Sequence, residues 1–102
     1  GYVKRPWIGV GIRTITKEMA ERYDVPKGVY IAKVYYDSPA EKARLKVDDI
    51  ITKINGKKVE TIDELSNIIE SHNPGDVITL KIYRDKKYIT KELELGIMKP
   101  EQ

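Results

Sequence analysis

The stretch GVYIAKVYYDSPAEKARLKVDDIITKINGKKVETIDEL, Gly28 to Leu65, sets out strand, helix, hairpin and helix in quick succession. From Gly28 to Tyr36 the chain is nearly all apolar, with Val29, Ile31 and Lys33 alternating against Tyr30, Ala32 and Val34. Such a run predicts a strand partly covered on both faces. Ser38 offers an N-cap, Pro39 suits the first helical position, and Glu41 can complete a capping box. Ile50 to Ile54 reads as the next strand, and Asn55-Gly56 accepts the positive φ angles of a tight hairpin before a brief returning strand. Thr61 with Glu64 forms a second capping box and opens a helix.

Working outward, Asn73-Pro74 stops that helix, and VITLKIYR and KYITKELEL alternate around Asp85-Lys86 as a closing hairpin. Upstream, TKEMAERYDVPKG predicts a short helix capped by Thr16, with Met19 and Tyr23 on one face and Pro26 and Gly28 ending it. Before it stands RPWIGVGIRT, in which Ile8, Val10, Ile12 and Ile15 share a side while Gly9, Gly11 and Arg13 take the other. The tally is five or six strands and three helices, joined by hairpins with no strand-helix-strand repeat. That is a small α+β domain, a partly closed antiparallel barrel or sandwich.

The 102 residues suffice for one domain spanning 1–102, with a core at about 5–95 and the ends 1–4 and 96–102 as flanking segments. The ends at Gly1 and KPEQ read as cut points in a longer protein. No apolar run approaches a membrane span and no signal-peptide pattern opens the chain. Without cysteine there is no disulfide framework or thiolate chemistry, and with one histidine a transition-metal site is not expected. The net charge of +3 is dispersed, Lys57-Lys58 and Lys86-Lys87 being short and in turns, so it reads as a solvated surface and not a nucleic-acid stripe.

No catalytic constellation stands out. His72 lies at a helix end, where it complements the dipole, and Ser38 is engaged as a cap. Asp48-Asp49 and Asp37 read as turn formers in solvent rather than as a carboxylate pair. GVGIRT lacks the third glycine of a dinucleotide fingerprint, with Thr14 in its place, and no helix follows directly. The chain by itself reads as a binding module, with neither cofactor nor metal.

Glycine inside a strand packs nothing and is tolerated where something must come close, which raises the question of what approaches Gly9 and Gly11. A strand beginning in a glycine-containing loop can turn successive N–H groups into one concavity, a nest suited to a peptide carboxylate. The helix after Thr61 carries two apolar stripes. Leu65 and Ile68 suit the core; Ile62, Ser66 and Ile69 suit the wall of a groove.

The whole order resembles a PDZ domain of the kind attached to HtrA/Deg-type serine proteases. RPWIGVGI resembles that family's carboxylate-binding loop, Gly28 to Leu65 its most recognisable stretch, and NPGDVITLKIYRDKK its closing hairpin. The likeness runs from Arg5 to Leu95. It implies that the N–H groups of Ile8, Gly9 and Val10 hold a ligand's C-terminal carboxylate. Ile8, Val10 and Ile69 would line the pocket for an apolar last side chain. Gly9 through Gly11 to Ile12 would pair with the ligand backbone, and Ile62 and Ser66 would meet side chains further up. Trp7 stands where the family often has tyrosine, and Arg5 could add charge near the carboxylate.

The implied partners are C-terminal peptides or unfolded polypeptides. The resemblance also implies an extracytoplasmic setting, a monomer in isolation and a homo-oligomeric parent protease that this domain serves by tethering substrate or sensing a signal. Membrane contact would not come from this domain. Two alternatives stay open: a PDZ domain of another membrane-associated protease or secretion component that binds internal segments, and a spacer with an unused groove. Arg44, Asp48 and Lys86 depart from glycines that the family favours. A left-handed backbone there would cost ~1 kcal/mol each.

Overall fold

The structure, a computed structural model, describes residues 4–98. Its elements in chain order are β1 (Pro6–Trp7), β2 (Val10–Thr14), α1 (Lys17–Tyr23), β3 (Val29–Val34), α2 (Pro39–Lys42), β4 (Ile50–Ile54), β5 (Lys57–Lys58), α3 (Ile62–Glu70), β6 (Val77–Arg84), β7 (Lys87–Glu94) and β8 (Gly96–Ile97). The main sheet runs β2-β3-β4-β6-β7, with β5 added to β4, and every pairing is antiparallel. This is a PDZ-like architecture of antiparallel sheets and three helices, as expected from the resemblance. Alternation on the long hairpin sends Ile78, Leu80 and Ile82 inward with Leu93 and Leu95, where they meet Val29, Ile31, Ile51, Ile54, Val59 and Leu65 in one core.

Several local expectations need correction. β3 is covered mainly on one face: Val29 and Ile31 are buried, but Ala32 and Lys33 are exposed. The first helix ends at Asp24, whose left-handed conformation and N–H to Ala20 carbonyl bond cap it before Pro26 is reached. Ser38 and Thr61 do cap their helices, but the capping glutamates reach one residue further back than a standard box, Glu41 to the N–H of Asp37 and Glu64 to that of Glu60. Two-residue β1 and β8 form a second small sheet, with Pro6 opposite Ile97 and Trp7 opposite Gly96. Gly96 and Ile97 thus pair within the fold, although they fall in a stretch expected to flank it; residues 1–3 and 99–102 lie outside the described residues.

Asp48 and Asp49 part company. Asp49 is 1% exposed, against the expectation of a solvated turn. Its carboxylate accepts 2.8 Å bonds from Nε and a terminal nitrogen of Arg84 and another from the Lys46 N–H. Arg84 also donates to the Arg44 carbonyl, so one guanidinium ties the 44–49 loop to the end of β6. These bonds to Asp49 hold the Arg84 pKa above its ordinary value.

Arg44, Asp48 and Lys86 all keep the left-handed backbone, with φ of 62°, 81° and 65°. Arg44 closes α2: its N–H reaches the Glu41 carbonyl while that of Leu45 reaches Ala40, a Schellman cap in which glycine is usual. Asp48 is compensated by the Tyr30 hydroxyl, which donates to its Oδ1. Lys86 follows Asp85, itself at φ 49°, in the two-residue turn of the β6–β7 hairpin, and no hydrogen bond from its side chain is formed among the described residues. Lys86→Gly is therefore expected to stabilise the domain by ~0.5–1 kcal/mol, the relieved left-handed strain less the added entropy of the unfolded chain. A higher urea midpoint at unchanged slope is the expected reading.

The Tyr30–Asp48 bond also gives a pH dependence. The hydrogen bond to Asp48, with lesser help from burial and from the carboxylate charge, raises the Tyr30 pKa above 10.0. A pKa higher in the folded than in the unfolded state adds stability that is complete below the unfolded value and lost as pH climbs through the folded one. The stability difference between the wild type and Tyr30→Phe should be flat from neutral pH to about 9 and shrink above about 10. Urea titrations across that range check it.

Candidate functional site

β2 is an edge strand of the main sheet, paired on one side with β3 from Val10 opposite Val34 to Thr14 opposite Val29. Its other side faces α3 across an open groove of about 540 Å³. At the far end the Ile62 N–H donates to Thr14 Oγ1, which fixes the start of α3 against the end of β2. At the near end stand the β1–β8 pair and Met98, whose N–H donates to the Arg5 carbonyl.

The loop Ile8-Gly9 forms the head of the groove and is held by its carbonyls. Ile8 accepts from the Ala40 N–H at 2.8 Å and Gly9 from the Tyr35 N–H at 2.9 Å. Neither residue's own N–H donates to a backbone or side-chain acceptor among the described residues, although both residues are buried. Buried N–H groups normally have partners, so this pair beside a groove stands out among the described residues.

What approaches Gly9 is the cap of α2. A Cβ on Gly9 would lie 2.2 Å from Cβ and 2.8 Å from Oγ of Ser38, and its φ is +84°. Both the space and the backbone conformation demand glycine there. At Gly11 a Cβ would meet Cβ of Lys33 at 3.2 Å, and the register of β2 against β3 shifts between Gly11 and Ile12. The bulge belongs to an edge strand bent round a neighbour.

Of the residues expected to form the site, Trp7, Ile8, Gly9, Val10, Ile12, Ser66 and Ile69 line this one groove. Gly11 lies in the same strand with its face toward Lys33. Ile62 is half-buried against the core and does not line the groove, whereas Leu65, expected as core alone, is both core and floor. Ile68 packs against the core as expected. Arg5 is exposed and outside the groove; among the described residues Glu70 is the one carboxylate on the wall. Sequence reasoning missed Pro6, Tyr35, Glu70 and Met98. Tyr35 sits 6.1 Å from the Trp7 ring and carries the Lys33 ammonium 4.6 Å above its own, so an aromatic pair frames the loop. His72 remains a cap, its Nδ1 2.7 Å from the Ile68 carbonyl.

The family profile described as the PDZ domain matches residues 6–95, nearly the whole chain. The chain belongs to the PDZ-domain family. Among curated relatives, a "Serine protease Do-like HtrA" of Bacillus subtilis (strain 168) is 38% identical over 106 residues, covering 93% of this chain and 23% of that protein. A "Probable periplasmic serine endoprotease DegP-like" of Chlamydia muridarum is 41% identical over 91 residues, covering 87% of this chain and 18% of the relative. The solved structure of the HtrA-type protease AlgW with a decapeptide superposes with a TM-score of 0.84 at 28% identity, covering 97% of this chain and 31% of that one. The PDZ domain described here thus spans about a fifth of the curated relatives it matches. It corresponds to their PDZ module and not to a catalytic protease domain.

Proposed function

We propose that this PDZ domain binds the free C-terminus of polypeptides by β-strand addition to the open edge of β2. The ligand's last carboxylate would accept from the N–H groups of Ile8, Gly9 and Val10. Its terminal side chain would enter the apolar space between Ile8, Val10, Leu65 and Ile69, and residues further up would pass Ser66 toward Ile62. The observation that carries this reading is the pair of N–H groups at Ile8 and Gly9 that have no acceptor among the described residues, at the head of a strand edge unpaired among them and over an apolar floor. β-addition supplies affinity through main-chain bonds and specificity through alternate side-chain pockets. Among the described residues no cation lines the groove, so the backbone N–H groups would be the carboxylate's main partners. Medium aliphatic termini such as Val, Leu and Ile fit the pocket best.

The relatives named as periplasmic serine proteases and the AlgW structure named with a decapeptide support an extracytoplasmic HtrA-type protease as the setting. The domain would there tether substrate or relay a terminal-peptide signal to the protease domain. Trp7, the sole tryptophan, lines the groove and reports binding by fluorescence. A peptide ending in valine as the free acid should bind at least tenfold more tightly than its C-terminal amide, a difference above ~1.4 kcal/mol. Equal binding of the two forms would assign the groove to internal segments, and no binding of either would assign the domain a spacer role.

A further inference from the structure

A second cleft lies apart from the peptide groove and shares no lining residue with it. It opens where β4 changes neighbours along one side, pairing with β3 at Ile50–Ile51 and with β5 at Lys53–Ile54. On its other side the β4–β6 register shifts between Ile51 and Lys53, and Thr52, 8% exposed, forms the floor, with its hydroxyl bonded to the Lys81 carbonyl. The resulting space has a volume of about 500 Å³.

Its walls are cationic. Lys53 stands directly opposite Lys58 on β5 and Lys81 on β6, so three lysines lie side by side across three strands. Lys27 comes in from the loop before β3. Against these four, Glu60 is the one acid on the wall, and it pairs with Lys58 at 3.5 Å. Like charges placed opposite each other weaken a sheet, and unmatched lysines in register are a cost that the fold itself does not explain. Tyr88 supplies an aromatic side, with the Lys81 ammonium 5.2 Å from its ring centre, and Pro26 bounds the opposite end. Four lysines against one glutamate give the lining of this cleft a net charge of +3.

We infer that this cleft is a second recognition site, for an acidic segment of a polypeptide carrying several Asp or Glu side chains. Its cations lie about one strand spacing apart, ~5 Å, so that one extended chain can meet several of them at once. The concave form, between a tyrosine and a proline, suits a chain laid in a channel. A lipid surface would favour a flat or convex face with exposed apolar side chains, and Tyr88 is the one exposed large hydrophobic residue on this wall. This inference does not depend on what the β2 groove binds.

The test uses an eight-residue peptide of alternating Glu and Ser, acetylated and amidated so that it offers no terminal carboxylate, titrated into the ¹⁵N-labelled domain at low salt. Amide shifts should cluster at Lys27, Thr52, Lys53, Lys58, Lys81 and Tyr88 and leave Ile8 and Gly9 unmoved. The double charge reversal Lys53→Glu with Lys81→Glu should weaken binding at least tenfold, and so should raising the salt to about 0.3 M, where screening acts within a few ångströms. A milder pair, Lys53→Gln with Lys81→Gln, preserves the test if the reversal does not fold. The inference is overturned if a Gln-Ser peptide produces the same shifts, if shifts scatter over all surface lysines, or if phosphatidylglycerol vesicles bind this face while the acidic peptide does not.

Discussion

Gly9→Ala is expected to destabilise the domain by ~3 kcal/mol, combining overpacking with the left-handed strain of an L residue. The new methyl would sit 2.2 Å from Cβ of Ser38, a fully buried residue whose hydroxyl caps α2. Neither side can yield easily: Ala40 of that helix is bonded to the Ile8 carbonyl, and the Tyr35 N–H is bonded to that of Gly9. The loop and the helix start would have to separate. Adding Ser38→Gly should recover part of the loss by removing the overlap, though not the strain at φ +84°, and it sacrifices a cap worth ~1 kcal/mol. Urea unfolding of the two single variants and the double variant checks this. A Gly9→Ala protein as stable as the wild type would mean that loop and helix do not pack as described.

Asp49→Ala is expected to cost ~3 kcal/mol, near the lower end for breaking a buried ion pair. The lower end applies because Arg84 keeps 18% of its side chain exposed and can recover some water. The substitution leaves Arg84 without its two carboxylate bonds and the Lys46 N–H without its acceptor. Replacing both partners, with Asp49→Leu and Arg84→Met, should be far less costly than Asp49→Ala alone, since no buried charge then lacks a partner. If the double replacement is as damaging as the single one, the pair's worth lies in its geometry and not in charge compensation. Hydrogen exchange should show the 44–49 loop opening first in the single variant.

The elements that could be read from sequence were those specified by neighbours in the chain. Ser38 and Thr61 act through residues at most four positions away and Asn55-Gly56 through its own positive φ angles, and each works where expected. The closing hairpin is set by alternation around Asp85-Lys86. What escaped was set by distant segments. The β1–β8 pair is two residues long on each side and begins with proline, so it has no periodic signal. The burial of Asp49 depends on Arg84, and a lone Asp-Asp dipeptide looks the same as a solvated turn.

The site divides in the same manner. The alternation of Ile8, Val10 and Ile12 and the glycines marked the strand edge, and the need for something close to Gly9 was legible before its identity. That neighbour is Ser38, nearly thirty residues on, which makes the loop rigid before any ligand arrives. Helix spacing separated the stripes of α3 but could not orient the helix over β2. Thus Leu65 reaches the groove floor, Ile62 turns into the core margin, Glu70 joins from the last turn of α3, and Tyr35 and Met98 join from just past the ends of β3 and β8, where the sequence carries no groove signature.

The most direct test of C-terminal recognition follows the amide signals of Ile8 and Gly9 in the ¹⁵N-labelled domain as a valine-terminated peptide is added. The free acid should move both protons strongly downfield, as charge-assisted bonds form at N–H groups that had no partner, and the amide should leave them nearly unmoved. If the acid binds and perturbs α3 while the Ile8 and Gly9 amides stay where they were, the carboxylate lies elsewhere and the central claim fails.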